Sequence, residues 1–378
     1  MVSNLLSSLG SLGPSYTSWV IPFLFILTII VFFHELGHFL VARLCGIKVL
    51  VFSIGFGPEL VGFYDRHGTR WKISAIPLGG YVRFFGDENE ASVPDTSTLA
   101  AMTDEERKQS FPGQPVGARA AVVVAGPVAN FILAIVIFAG VFVAFGKPTI
   151  VDGKPVVLPR IASIQADRPA AAAGFAVGDL IVAVDGTRID TFDDIQRLVG
   201  ASRGRPLTFE VERDGSLTTI KAAAIEKDEK WVLGITGNEL KKEPVGFLEA
   251  VNSGAAQTWR IVETTMVYLR DVVVGRQSPD QIGGVIRIAQ ISGEAARHGL
   301  DVFLGIAAAV SVSIGLLNLF PIPLLDGGHL LFYAIEAVRG RPLSERAQDV
   351  GFRIGLAIVL MLLIFTIVND VHWLVTKS

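Results

Sequence analysis

Four long apolar runs dominate what this 378-residue chain can fold into. No charged side chain occurs from Met1 to Phe33, and Ser18 to Ala42 is long enough to cross a bilayer. Ala120 to Gly146 and Val302 to Leu325 are uncharged throughout, and Ile354 to Asn369 adds a run of 16 such residues. That last run is short for a span, so Arg353 and Asp370 at its ends are expected to snorkel and lengthen it. Backbone in lipid must satisfy its own hydrogen bonds, so the runs are expected as four transmembrane helices. Composition agrees: 51% of residues are hydrophobic and only 18% charged, below the roughly 25% of water-soluble domains. A net charge of −3 leaves no basic footprint, which argues against a nucleic-acid partner. The single cysteine, Cys45, excludes an internal disulfide scaffold. The first run lacks a basic leader and a clear cleavage site, so it reads as a retained helix rather than a signal peptide.

Orientation follows the short basic loops. Arg43 to Arg119 holds nine Lys and Arg, and Arg339, Arg341 and Arg346 follow the third run, whereas the termini hold almost none. The first and third loops are therefore expected in the cytoplasm, with both termini and the segment from Lys147 to Asp301 outside. Long segments translocate regardless of charge, so that segment casts no vote.

Within it, residues 156–225 read as a small β-rich domain. Leu180 to Val184 is an apolar strand, Asp185-Gly186 and Asp214-Gly215 are turn signals, and Thr191 to Asp194 is a capping box opening a short helix. Pro169-Ala-Ala-Ala-Ala-Gly-Phe175, Gly178-Asp179 and Asp185-Gly186 together resemble the PDZ domains of bacterial membrane proteases. The resemblance implies either peptide capture by strand addition or a steric gate. Beyond it, Phe247, Val251, Ala255, Trp259 and Val262 recur at helical spacing, the pattern of an amphipathic helix.

The chemistry is concentrated in the first run, at His34-Glu35-Leu36-Gly37-His38. Histidines at i and i+4 share a helical face and can reach one Zn²⁺, and the glutamate beside the first can serve as general base toward water. Two histidines and a carboxylate inside a transmembrane helix are costly, which favours a functional reading over hydrogen-bonded helix packing. A catalytic zinc takes a third protein ligand and keeps a position open. Asn318-Leu-Phe-Pro-Ile-Pro-Leu-Leu-Asp326-Gly-Gly-His329 interrupts the third run with prolines and glycines, as backbone lining a cavity can. Asp326 is the candidate and His329 its competitor. His67, His298 and His372 read as solvated.

His34-Glu-Leu-Gly-His38, Gly126-Pro-Val-Ala-Asn130 and Asn318-x-x-Pro-x-Pro-x-x-Asp326-Gly-Gly together resemble the site-2 protease family of intramembrane zinc metalloproteases. With an inserted PDZ-like domain, the resemblance is to its RseP-type bacterial members, although the best-known of these carry two such domains and this chain has room for one. The resemblance implies that His34, His38 and Asp326 ligate zinc and that Glu35 is the catalytic acid and base. It implies that Asn318 positions substrate backbone or stabilises an oxyanion, with Gly79, Gly80 and Asn130 as further substrate-binding positions. Implied substrates are single-span membrane proteins such as anti-sigma factors trimmed by an upstream site-1-type protease, and signal-peptide remnants. The alternative is a non-catalytic scaffold or metal-responsive protein, but such a protein has no need of Glu35 between its histidines. Neither a nucleotide-binding glycine motif nor a G-x-S-x-G elbow is present.

Ile47 to Ile54 and Trp71 to Ile76 flank the turn signal Asp65-Arg-His-Gly68, which predicts a β-hairpin, and Gly55, Gly57 and Pro77-Leu-Gly-Gly-Tyr81 permit sharp bends. In the resembling family such a segment enters the membrane and pairs with an unwound substrate. The expected whole is a polytopic α-helical protein of the bacterial inner membrane, with a membrane-associated hairpin and an inserted extracytoplasmic PDZ-like domain. Its parts are a first helix in 1–46, hairpin and polar loop in 47–117, a second helix in 118–146 and the PDZ-like domain in 147–240. An amphipathic linker in 241–301, a third helix in 302–328, a loop in 329–351 and a fourth helix in 352–378 complete it.

Overall fold

The computed structural model describes residues 13–87 and 102–377; the N-terminal tail and part of the polar loop, 88–101, lie outside the described residues. Among the described residues, four helices are long and apolar enough to cross a membrane: Ser18–Leu44, Val116–Phe145, Leu300–Asn318 and Arg346–Thr376. They belong to helices α1 (Gly13–Leu44), α2 (Val116–Phe145), α6 (Leu300–Asn318) and α8 (Glu345–Lys377). Residues 142–246 form one compact unit and the remainder another.

In the helical unit, close approach rests on small residues, as expected where lipid offers no hydrophobic drive. A Cβ on Gly37 of α1 would lie 2.3 Å from the Ala125 carbonyl of α2, and one on Gly315 of α6 would lie 3.1 Å from that of Pro127. Ile26, Ile30, Leu133 and Ala307 fill the space between these helices.

The segment expected as a linker is two helices, α4 (Phe247–Val273) and α5 (Val285–His298). The face of α4 that packs against the helical unit is made of small residues. Ala250, Gly254 and Thr258 are buried, and a Cβ on Gly254 would meet the Ile135 carbonyl at 2.8 Å, whereas Phe247 and Trp259 are exposed. Asp370 does not snorkel either. It is fully buried, and its carboxylate accepts from the main-chain N–H of Gly284 (2.8 Å), Ile286 (3.0 Å) and Arg287 (3.1 Å), capping α5. Arg353 is exposed.

The third span ends at Asn318, and Asp326 opens a separate helix, α7 (Asp326–Arg339), which takes up the first part of what was expected to be a loop. Pro321 and Pro323 lack an N–H and push their preceding residues out of the helical region, so α6 cannot continue. The chain then folds so tightly that a Cβ on Gly327 would lie 2.1 Å from the Phe320 carbonyl, and one on Gly328 would lie 2.5 Å from that of Ile322.

The hairpin, β1 (Val49–Tyr64) with β2 (Arg70–Phe84), is folded back on itself. Residues 51–54 pair with 70–73 and also with 80–83, while 61–64 pair with 70–73. Four strand segments thus lie side by side, with 80–84 at one edge. Gly55, Gly57 and Gly79 supply the bends at φ +85°, +84° and +110°. The turn is tied to α1: Arg43 donates to Asp65 and Thr69, and the main-chain N–H groups of His67 and Thr69 donate to Asp65.

The inserted unit carries a four-stranded antiparallel sheet. Its strands are β3 (Leu180–Val184), β4 (Thr187–Arg188), β5 (Leu207–Arg213) and β6 (Ser216–Ala222), in the order β6-β5-β3-β4. Both Asp-Gly turns have positive φ at both residues, as tight hairpins require. The Thr191 capping box opens α3 (Phe192–Ser202), which packs Ile195 and Val199 into a core with Ile181, Phe209 and Val211.

Candidate metal centre

His34 and His38 extend from one face of α1, one turn apart, with their rings edge to face at 4.8 Å and their Nε2 atoms 3.2 Å apart. The fold-back after Asn318 delivers Asp326 to the same point: Oδ2 lies 3.1 Å from His34 Nε2 and Oδ1 lies 3.6 Å from His38 Nε2. These three residues are the one such group among the described residues, with ligand atoms all within 4.8 Å of one another.

The cluster has the character of a cation site. His38 Nδ1 lies 2.8 Å from the Val122 carbonyl, which can only accept, so Nδ1 carries the proton and Nε2 presents a lone pair. Asp326 Oδ2 is buried without a hydrogen bond. The His38 Nε2 lone pair and the Asp326 carboxylate therefore face one point beside His34 Nε2, an arrangement that a cation stabilises. Ligand atoms at about 2.0–2.2 Å from a tetrahedral zinc are about 3.3–3.6 Å apart; the separations here run from 3.1 to 3.6 Å. Three protein ligands of N and O type leave the fourth position for water or substrate.

A cavity of about 500 Å³ opens on this cluster, and Glu35, Gly79, Gly80, Asn318 and His329 help line it. Asn318 Nδ2 lies 3.4 Å from His34 Nε2. A Cβ on Gly80 would lie 3.1 Å from Glu35 Cγ and 2.8 Å from a Val31 methyl, so the 80–84 edge passes directly beside the glutamate. His329 packs near the Tyr333 and Phe352 rings and stands outside the converging group. His67, His298 and His372 are exposed. Leu324, on the cavity wall two residues before Asp326, adopts φ +92°, a strained value of the kind that collects at functional sites.

Asn130 differs from expectation. It is fully buried, is absent from the cavity wall, and lies behind His34 with Nδ2 3.2 Å from the ring's Nδ1. Two contributors on α2 were given no role by the sequence reading. One is the Val122 carbonyl. The other is Gly126, where a Cβ would lie 2.3 Å from His38 Nε2 and 2.9 Å from His34 Cε1. The available signal was the spacing: 122, 126 and 130 recur every four residues, on one helical face.

The sequence pattern of peptidase family M50 matches residues 22–362. The chain belongs to this family. This M50 peptidase is 50% identical over 370 residues to a protein of Rhizobium meliloti (strain 1021) that bears a zinc-metalloprotease name, covering 94% of this chain and 97% of that one. It is 40% identical over 385 residues to metalloprotease MmpA of Caulobacter vibrioides, covering 93% and 95%. It is thus a multi-pass membrane protein and an intramembrane zinc metalloprotease of site-2 protease type. Among solved structures, 23% of the chain is similar to the PDZ domain of an SdrC-like protein from Listeria innocua, at 19% identity and a TM-score of 0.20, covering 99% of that chain.

Proposed function

We propose that this M50 peptidase hydrolyses a peptide bond in or near the transmembrane segment of single-span membrane proteins, anti-sigma factors and signal-peptide remnants among them. His34, His38 and Asp326 hold the zinc, and Glu35 moves the proton. The observation that carries these roles is the convergence of two imidazoles and one carboxylate on a cavity that Glu35 also lines. When bound, zinc supplies Lewis acidity, which activates water near neutral pH and polarises a carbonyl. Glu35 takes a proton from the attacking water as the carbon–oxygen bond forms. It then delivers that proton to the amide nitrogen as the carbon–nitrogen bond breaks. Asn318 turns its amide N–H to the substrate carbonyl oxygen, where negative charge develops.

A helical substrate hides its amides, so the scissile segment must become extended before water can reach it. The 80–84 edge takes up that segment as an added strand, replacing lost helical hydrogen bonds where an unsatisfied amide is expensive. Two facts support this. Gly79 and Gly80 bring the edge beside Glu35, and among the described residues the outer side of that edge pairs with no strand. Exposed Phe56, Leu60, Val61, Phe63, Ile73 and Ile76 support a hairpin that dips into the bilayer. The positive-inside bias supports a bacterial inner-membrane protein with its hairpin on the cytoplasmic side and its termini and PDZ-like domain in the periplasm. That domain filters substrates, admitting those that a site-1-type protease has already trimmed.

The test is cleavage of a tagged single-span substrate by the full-length protein in detergent, for wild type and Glu35→Gln, with and without a zinc chelator. Zinc bound by both proteins and cleavage only by unchelated wild type is expected. Cleavage by a zinc-loaded Glu35→Gln protein at the wild-type rate would remove Glu35 from the chemistry.

A further inference from the structure

The two zinc-binding imidazoles are both held from behind by α2. His38 donates its Nδ1 proton to the Val122 carbonyl at 2.8 Å. One turn on, Gly126 leaves room for both rings, and one turn further Asn130 reaches His34 Nδ1. Asn130 has little freedom: the residue is fully buried, its main-chain carbonyl accepts from Ser311 Oγ at 2.9 Å, and a Cβ on Gly315 would lie 3.2 Å from its own Cβ.

The amide stands with Nδ2 facing His34 Nδ1 at 3.2 Å, while Oδ1 is buried without a partner. For His34 to offer Nε2 to a metal, its Nδ1 must carry the proton, and two N–H groups cannot face each other across that distance. Oxygen and nitrogen of a carboxamide have nearly the same shape, so their assignment follows the hydrogen bonds. Turning the amide over gives the ring proton an acceptor and takes the carbonyl oxygen out of its unpaired position.

We propose that Asn130 is a positioning residue for zinc: its amide oxygen accepts from His34 Nδ1–H, fixing the tautomer and aiming the Nε2 lone pair at the metal. Asn130 touches neither the cavity nor the reacting atoms, so this role replaces substrate contact. Acceptors placed behind ligating histidines fix ring orientation and raise ligand basicity. An amide does so here without setting a second negative charge beside Asp326.

The inference rests on His34, His38 and Asp326 being the zinc ligands, and its test separates the two. Zinc affinity of the full-length protein is measured by chelator competition, together with the visible spectrum after cobalt substitution, for wild type, Asn130→Leu, Asn130→Asp and His38→Ala. Asn130→Leu, similar in shape but without an acceptor, is expected to bind zinc about 10–100-fold more weakly with an altered cobalt spectrum. Asn130→Asp keeps the acceptor and is expected to bind close to wild type. Wild-type affinity and spectrum in Asn130→Leu would overturn the proposal, as would loss of zinc by a folded Asn130→Asp protein. Tight zinc binding by His38→Ala would instead overturn the ligand set. The wild type gives a check that needs no folded variant: with ¹⁵N-labelled histidine, His34 Nδ1 of the zinc-loaded protein is expected to be protonated, and an unprotonated Nδ1 rejects the role.

Discussion

Gly126 and Glu35 make opposite demands on the metal centre, and substitutions there separate holding zinc from using it. Glu35→Gln removes the proton carrier while leaving all three ligand atoms, so cleavage should fall about 10²–10⁴-fold with zinc content unchanged. Gly126→Ala acts the other way. Its Cβ would lie 2.3 Å from His38 Nε2, with no flexible chain end to yield, so the imidazoles must shift. A displacement of about 1 Å can cost about 10²-fold in rate, and zinc affinity should fall with it. Gly140→Ala on the same helix is the control, because nothing lies within 4 Å of its added Cβ. Equal zinc affinity and cleavage in the two alanine variants would refute the steric argument. The ligand pair was legible because it is local: an i, i+4 spacing places two histidines on one face of any helix. Asp326 needed only a second apolar segment interrupted by prolines and glycines. Asn130 and Gly126 were visible as letters of a motif but not as functions, since their role depends on which face of α2 meets α1.

Helices and strands were legible where one element decides its own conformation, and less so where a neighbour decides. The Thr191 capping box and both Asp-Gly turns formed as the sequence predicts, since each closes its hydrogen bonds within a few residues. The hairpin's turn and bends were also readable, but its doubled register was not, because Gly55, Gly57 and Gly79 permit a fold-back without dictating which segments meet. Helix α7 was obscured by Gly327 and Gly328, poor helix formers that the tight turn needs. Asp370 was misread for the same kind of reason. A lone acid at the end of an apolar run suggests a path to water, yet it serves the start of a helix 85 residues earlier in the chain. Asp370→Ala strips a buried cap of three N–H groups and should cost about 1–3 kcal/mol. Hydrogen exchange resolved over 285–298 should rise in that variant, with Asp370→Asn intermediate; unchanged protection would mean the cap contributes nothing to α5.

At the scale of the molecule, hydropathy revealed the four spans, and the long polar insertion between the second and third marked a separate body. The inserted unit has a hydrophobic core of its own, and its charge pairs decide how its packing answers to acid. Asp179 is buried, which alone would raise its carboxyl, but paired hydrogen bonds from Arg213 at 2.7 Å and the Ala176 N–H hold it below the ordinary carboxylate range. Asp194 is lowered too, by Arg197 first and then, against the opposing effect of burial, by Thr191 at the α3 cap. A carboxyl depressed in the folded unit binds protons less readily there than in the unfolded chain, where its value is about 3.9. Its stabilisation is therefore complete above that unfolded value and is lost as pH falls through the lower folded one. Acid should thus loosen the inserted unit in that window, and amides of 207–222, where β5 and β6 pair, should exchange progressively faster relative to their intrinsic rates. Asp179→Asn should lower protection at neutral pH and flatten part of the acid dependence, leaving the share carried by Asp194. A variant that kept both the neutral-pH protection and the full acid slope would show that the Asp179–Arg213 pair does not set the unit's response to pH.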